Sequence, residues 1–284
     1  MSIMVCDCGS SKAQWMRNDE DTVRALATAG FNPYQFASVQ ELTGFLHMQV
    51  KDWTDFSGNL FFYGAGCAAA EKRSLVASAL QKIFPQARVA VFDDLLGAAR
   101  AAAGKQPAIV LVLGTGMNNG FYDGTSVRFH VDSLGYILGD EGSGVDLGRR
   151  LLQAALRQQM PADLAQAFAT YLPLSRDQIL DQVYGSRSAR VFLADQVRFI
   201  ARHKNHTWIQ QLIREAFYAL AQRVLSVYEV YRSLPVHVVG SVGSVFEEEL
   251  RLVIAAVGFQ PGRFLAQPVE DLFAYHASER ISSK

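Results

Sequence analysis

Three aspartates, Asp7, Asp94 and Asp140, stand beside glycine- or serine-rich turns, and four such turns fall at the ends of apolar runs. Turns of this kind expose main-chain amides that favour an oxyanion, whereas lone carboxylates repel one. A Mg²⁺ ion reconciles the two, because it accepts carboxylates or their bound waters together with the oxygens of a di- or triphosphate. The chemistry to expect is therefore handling of a magnesium-bound polyphosphate.

The first of these turns organises the chain. Ile3-Met4-Val5-Cys6-Asp7 is an apolar run ending in a carboxylate, Cys8-Gly9-Ser10-Ser11 a tight turn, and Lys12-Ala13-Gln14-Trp15 a returning run. That reads as a strand, a turn and a strand, with Gly9 supplying backbone geometry closed to other residues. Related stretches follow at Leu111 to Asn119, Gly135 to Gly144 and Val239 to Phe246.

The elements that position these turns alternate. Strand character runs from Val5 to Leu26 with turns at Gly9-Ser10 and around Asn18 to Glu20, and Val39 to Val50 is helical. Leu60 to Tyr63 is a short strand running into Gly64-Ala65-Gly66, Ala68 to Phe84 a helix stopped by Pro85, and Arg88 to Phe92 a strand delivering Asp93 and Asp94 to its C-terminal end before an alanine-rich helix. Open α/β sheets bind ligands off such strand ends. After Lys105-Gln106-Pro107 the second half begins as the first did: Ile109 to Leu113 is a strand, Gly114 to Asn119 its turn, Gly120 to Tyr122 the return and Val127 to Val131 a further strand. Ser143-Gly144 to Gln159 and Ala165 to Tyr171 are helical, and Ser175 with Gln178 has capping-box spacing. Trp208, Leu212, Phe217, Leu220, Val224 and Tyr228 share one face of a long helix. Val236 to Val239 is a strand, and Ser244 to Val257 and Glu270 to Ile281 close the chain as helices. This order predicts two related α/β domains rather than a bundle.

Composition narrows the function classes. Half of the 284 residues are apolar, enough for two cores, and 27 basic residues balance 27 acidic ones without a dense run of either sign. Neither a nucleic-acid footprint nor a membrane-binding patch is expected. No stretch approaches 18 uninterrupted apolar residues, no signal peptide is evident, and Cys6, Cys8 and Cys67 are an odd set, so a cytoplasmic, reducing location is expected. Cys6 and Cys8 lack further ligands for a metal, and His203 with His206 reads as a solvated helix end rather than a zinc pair.

The pattern resembles the sugar kinase, actin and heat-shock ATPase superfamily, and within it the N-acetylglucosamine kinase branch that also holds the BadF-type ATPases. The branch's phosphate-1 hairpin, Asp-Gly-Gly-Gly-Thr-Lys, is matched by Asp7-Cys8-Gly9-Ser10-Ser11-Lys12, and its phosphate-2 hairpin, Gly-Thr-Gly-Ser-Asn, by Gly114-Thr115-Gly116-Met117-Asn118. Its Gly-Asp-Glu-Gly-Ser-Gly is present unchanged as Gly139 to Gly144, and the adenosine turn is similar to Gly240-Ser241-Val242-Gly243. The matches run from about residue 3 to about residue 246, in order and at familial spacing.

The resemblance implies two ribonuclease H-like, actin-like ATPase domains facing across a cleft. They would span 1–105, rejoined by the last helix at 269–284, and 106–268 with a helical insertion. It implies an ATP-dependent kinase moving the γ-phosphoryl of ATP to a hydroxyl of an amino or N-acetylated hexose, with Mg²⁺ held by Asp7. Gly9, Ser10, Ser11, Lys12, Gly114, Thr115, Gly116, Gly240, Ser241 and Gly243 would bind the nucleotide. Asp94 would be the general base, since Asp94-Leu95-Leu96-Gly97-Ala98 matches the family's Asp-Ala-x-x-Ala segment better than a frame starting at Asp93, which reads as a helix cap. Asn32, Asn118 and Asp140 would contact the sugar, and Glu141 would cap the following helix or orient Asp140. Alternatives are a BadF-type ATPase activator of a partner enzyme and a non-catalytic sugar sensor; a homodimer through the helical part of the second domain is the assembly to test. Cys8 and Ser10 replace family glycines, Ser11 a threonine, Met117 a serine and Asp271 a glycine. A positive φ at Cys8 or Ser10 would strain the turn by roughly 1 kcal/mol.

Overall fold

In a computed structural model the chain is described for residues 2–19, 22–185 and 189–279, and it separates into two compact units. One comprises residues 1–106, 124–126 and 267–284, the other 107–123 and 127–266. Each is built on a five-stranded sheet.

In the first unit β1 (Ile3–Cys8), β2 (Lys12–Asp19) and β3 (Thr22–Ala29) form an antiparallel meander, while β4 (Asn59–Gly64) and β5 (Arg88–Asp93) add parallel to β1, in the order β3-β2-β1-β4-β5. The helices are α1 (Val39–Val50), α2 (Ala70–Ile83) and α3 (Asp94–Ala103), with α13 (Val269–Glu279) returning to this unit. Alternation along β1 sends Met4, Cys6 and Cys8 into a core with Trp15, Phe62, Leu42 of α1 and Leu80 of α2. The opposite set, Ile3, Val5 and Asp7, shares the face of Phe61 and Tyr63 on β4, where His276 of α13 stacks on Phe61 at 3.6 Å. The alternation that builds the core thus turns Asp7 toward the face carrying α13.

In the second unit β6 (Ala108–Leu113), β7 (Met117–Tyr122) and β8 (Val127–Phe129) repeat the meander, and β9 (Pro235–Val239) and β10 (Gln260–Leu265) add in parallel, in the order β10-β9-β6-β7-β8. Its helices are α4 (Gly135–Leu138), α5 (Gly144–Leu156), α6 (Ala162–Tyr171), α7 (Arg176–Leu180), α8 (Ala189–Asp195), α9 (Val197–Arg202), α10 (Thr207–Arg223), α11 (Ser241–Val245) and α12 (Glu247–Ala256). The core joins Ile109 and Leu111 to Leu147 and Leu151 of α5 and to Ile213, Phe217 and Leu220 of α10. None of the described helices is long and apolar enough to cross a membrane.

The elements depart from the sequence reading in several places. The turn after β6 spans only Gly114 to Gly116, because Met117 and Asn118 already pair with Leu113 and Val112. The long helix ends at Arg223, and Tyr228 lies in a 3-10 stretch, Leu225–Tyr231, whose backbone kinks at that residue. The helix expected over Ser244 to Val257 is two helices, α11 and α12, meeting at Phe246. Strand β10 has no counterpart in the sequence reading; it pairs at the sheet edge with an irregularity between Pro261 and Phe264, the tolerated place for a proline and a glycine. Glu20 of the second expected turn and Ile281 of the last expected helix lie outside the described residues.

Candidate active site

The C-terminal ends of the three parallel strands of the first unit line up, with Cys8 opposite Gly64 and Gly64 opposite Asp93. Asp7 precedes the end of β1, and Asp94 opens α3 directly after β5. Asp93 is the cap of that helix: its Oδ1 accepts from the amide of Leu96 at 2.9 Å, leaving Asp94 in the first turn. Asp7 and Asp94 act on each other electrostatically. Burial, and secondly the Asp94 charge, push the Asp7 carboxyl up to about 7.

The turn between β1 and β2 closes on itself, the Gly9 amide donating to the Lys12 carbonyl at 3.0 Å, with Ser10 half-buried and Ser11 and Lys12 exposed. Among the described residues only Asp140 and Gln158 carry a positive φ outside glycine, so neither Cys8 nor Ser10 is strained by replacing a glycine. Gly9 itself has no positive φ, and a Cβ there would meet only the Lys12 carbonyl at 3.5 Å. Its absent side chain therefore clears space in front of the turn and relieves no backbone strain, a correction to the expectation for this residue. The glycine that packing does require is Gly30, where a Cβ would sit 2.0 Å from the Gly9 carbonyl and 2.4 Å from the Lys12 nitrogen. Sequence reading passed over it, since only the fold lays that loop across the turn.

Asn32 is committed locally. Its Oδ1 accepts from the Tyr34 amide at 3.1 Å and its own amide donates to Gln35 Oε1 at 3.0 Å, a capping box on the 3-10 turn Pro33–Gln35. Gly66, at φ 79°, lies against it, with a Cβ there falling 2.6 Å from Asn32 Oδ1. The thiols of Cys6, Cys8 and Cys67 are free and buried; burial, ahead of neighbouring charges, pushes Cys67 up to about 12 and raises Cys6 as well. They belong to the core under the turn.

In the second unit the Gly114-Thr115-Gly116 turn is braced by the start of α5. The amides of Gly144 and Val145 donate to the carbonyls of Gly114 and Thr115 at 2.9 and 3.1 Å, and Ser143 caps the helix by accepting from the Asp146 amide. Asp146, buried, accepts from the Gly142 amide and pairs with Arg149 and Arg150. Glu141 does not cap the helix; it pairs with Arg223 of α10 at 2.8 Å. Asp140, 1% exposed and at φ 59°, accepts from the Met117 amide at 3.1 Å through Oδ1, tying the segment to the turn. Burial is the chief cause raising its carboxyl above the usual range, opposed by the Met117 amide and the Arg190 charge.

Asn118 is half-buried on β7, and its Oδ1 accepts from the next amide, Asn119, at 2.9 Å. The fully buried amide is Asn119, which sequence reading left as part of the turn. It bonds both main-chain groups of Val131 at 2.9 and 3.0 Å and accepts from the Tyr228 hydroxyl. Gly240, at φ 119°, abuts the end of β6, where a Cβ would lie 2.4 Å from the Leu113 carbonyl. Gly243 packs so closely on Val238 that a Cβ would fall 2.3 Å from its Cγ1, while Ser241 opens α11 exposed.

The described residues contain no group of three or more His, Cys, Asp or Glu able to hold a metal alone. Asp7, whose carboxyl is held up by burial and by the Asp94 charge, fits Mg²⁺, an ion that keeps water and phosphate oxygens around as few as one carboxylate.

Two α/β units with matching meanders, glycine turns and carboxylates at strand ends make a fold that resembles that of the actin-like ATPases. No family model matches the chain. A candidate N-acetylglucosamine kinase from Porphyromonas gingivalis shares 34% identity, with a TM-score of 0.91 over 98% of this chain and 99% of that one. A second, from Chromobacterium violaceum, shares the fold at 17% identity and a TM-score of 0.68, covering 96% of this chain and 98% of its own. The N-acetylmuramic acid/N-acetylglucosamine kinase of Clostridium acetobutylicum is 26% identical over 175 residues, 58% of this chain; the match spans 56% of the length of that curated relative. The chain belongs to the N-acetylglucosamine kinase-like fold family of the sugar kinase superfamily.

Proposed function

We propose that the protein transfers the γ-phosphoryl of ATP to a hydroxyl of an amino or N-acetylated hexose, each unit being a ribonuclease H-like module. The observation that carries this reading is that β1 and β5, on either side of β4, bring Asp7 and Asp94 to the same C-terminal edge of the sheet, beside an amide turn, where the two carboxylates act on each other, in a chain of this family. Asp7 would hold Mg²⁺, and bound there the ion supplies charge neutralisation to the phosphates. The amides of Ser10 and Ser11 and the exposed Lys12 are assigned to phosphate oxygens, with Gly9, whose own amide closes the turn onto Lys12, leaving room for them; in the second unit the amides of Thr115 and Gly116 are assigned likewise, with the Gly114 amide closing that turn onto Gly116. Gly240, Ser241 and Gly243 are assigned to the adenosine, the two glycines letting α11 pack directly against Leu113 and Val238 so that the turn is held at the end of β6.

Asp94 is assigned as general base. It accepts the proton of the attacking hydroxyl, and because phosphoryl transfer has a loose transition state, its position matters more than its basicity. Asn32, Asn118 and Asp140 are assigned to the sugar. For the two asparagines, one carboxamide oxygen is already engaged locally, which leaves the amide group as the donor to a hydroxyl or acetamido oxygen. The N-acetylated hexose is taken from the relatives' substrates.

The deciding experiment is sugar-dependent ADP release by Asp94→Asn. Loss of turnover by about 10²-fold or more with nucleotide affinity retained is expected; turnover equal to wild type overturns the assignment.

A further inference from the structure

The Gly116 side of the second turn carries a residue that lies outside every motif of the sequence, Arg190. Arg190, on α8, lies 50 residues beyond Asp140 in sequence, yet both reach the same point over Gly116. A Cβ on Gly116 would lie 2.4 Å from Arg190 Nη2 and 2.8 Å from Asp140 Oδ2. Asp140 Oδ1 is engaged by the Met117 amide, but Oδ2 is buried and without a hydrogen-bond partner among the described residues. The two groups therefore flank one spot without bonding to each other, a cationic donor on one side and a carboxylate acceptor on the other.

An unsatisfied buried carboxylate oxygen is costly, so its persistence calls for a partner. The chemistry of the pair selects that partner. An oxyanion would satisfy Arg190 but repel Asp140, and an ammonium would do the reverse. A neutral hydroxyl donates to Oδ2 and accepts from Nη2 at once. Asp140 is 1% exposed whereas Arg190 and Gly116 keep some surface, so Arg190 is the member of the pair that meets an incoming ligand first.

We propose that Arg190 is a specificity residue which, with Asp140, grips one hydroxyl of the sugar over Gly116, so that this hydroxyl is required for binding. The inference rests on the sugar-kinase reading and deepens it. The absence of a Cβ at Gly116 is what leaves room for the grip, and the guanidinium offsets the Asp140 charge so that the carboxylate can accept without a free cation.

The test is equilibrium binding of N-acetylglucosamine and its monodeoxy analogues to the full chain without nucleotide, for wild type, Arg190→Met and Arg190→Lys, each checked for an unchanged melting transition. In wild type one analogue binds about tenfold to hundredfold more weakly than the parent sugar. In Arg190→Met the penalty for that same analogue falls below about threefold, and in Arg190→Lys part of it returns. The inference is overturned if the penalty survives in Arg190→Met, or if no analogue is penalised in wild type. Sugar-dependent ADP release is measured in parallel: wild-type release together with either of those results sinks only the role of Arg190, whereas absence of release with any amino sugar sinks the kinase reading itself.

Discussion

Loss of solvent around the half-buried Asp7, and secondly the Asp94 charge, push its carboxyl up to about 7. Its proton is held more tightly in the folded chain than in the unfolded one. The linked stability is therefore fully present below about pH 4, the unfolded value, and is lost as pH rises through about 7. Nucleotide-free protein should show a melting temperature that declines across this window, and Asp7→Asn should flatten the decline. An equal slope in the variant contradicts the assignment of the shift. Gly9 and Gly30, one in the turn and one in the loop packed across it, make a paired prediction. Gly9→Ala has room and ordinary backbone geometry, so stability should change by less than about 0.5 kcal/mol while nucleotide affinity falls. Gly30→Ala drives a Cβ into the Gly9 carbonyl and should cost about 2 kcal/mol or more by denaturant titration. Equal stability losses in the two variants would show that the backbone of Gly9, and not access to it, is what matters.

Turn residues and strand ends were legible because their types are constrained locally. Asp93 as the cap, Ser175 with Gln178 as a capping box, and α1 over Val39–Val50 follow from side-chain chemistry within a few residues. Asn119, by contrast, looks like one more turn asparagine until β7, the segment at Val131 and Tyr228 are brought together around it. Replacing it with leucine leaves the half-buried amide and carbonyl of Val131 and the buried Tyr228 hydroxyl without Asn119 as partner. Asn119→Leu should lose about 3 kcal/mol of stability, while Tyr228→Phe, which removes only one hydroxyl, should lose about 1 kcal/mol. Chemical denaturation of both variants checks the ordering, and a milder effect for Asn119→Leu than for Tyr228→Phe refutes it. Strand β10 escaped sequence reading for a related reason. Gly262 comes so close to His237 that a Cβ would sit 2.3 Å from its Nδ1, an approach that no local pattern announces.

Across the whole molecule, two separate apolar clusters stand behind the two turns, one gathered around Phe62 and Trp15, the other around Phe217 and Leu220. Truncating a buried phenylalanine costs about 3–5 kcal/mol through lost contacts and the cavity left behind. Phe62→Ala and Phe217→Ala, in clusters that share no residue, should each destabilise by that order, and the double variant by their sum to within about 0.5 kcal/mol. A coupling energy well above that margin would show that the clusters behave as one.

By itself the sequence determined the repeated strand-turn-strand beginnings, the carboxylates and amide turns at strand ends, and the unbroken Gly139 to Gly144 segment that points to a sugar kinase. Those features are written in neighbouring residues, where apolar runs, glycines and caps act through local backbone and side-chain chemistry. Tertiary structure alone decided that Gly30 packs on the first turn, that Asn119 is a buried bridge and that Glu141 pairs with Arg223. It also decided that Arg190 meets Asp140 over Gly116. Each of these joins residues far apart in the chain, and such contacts are fixed by packing, which periodicity and spacing do not record.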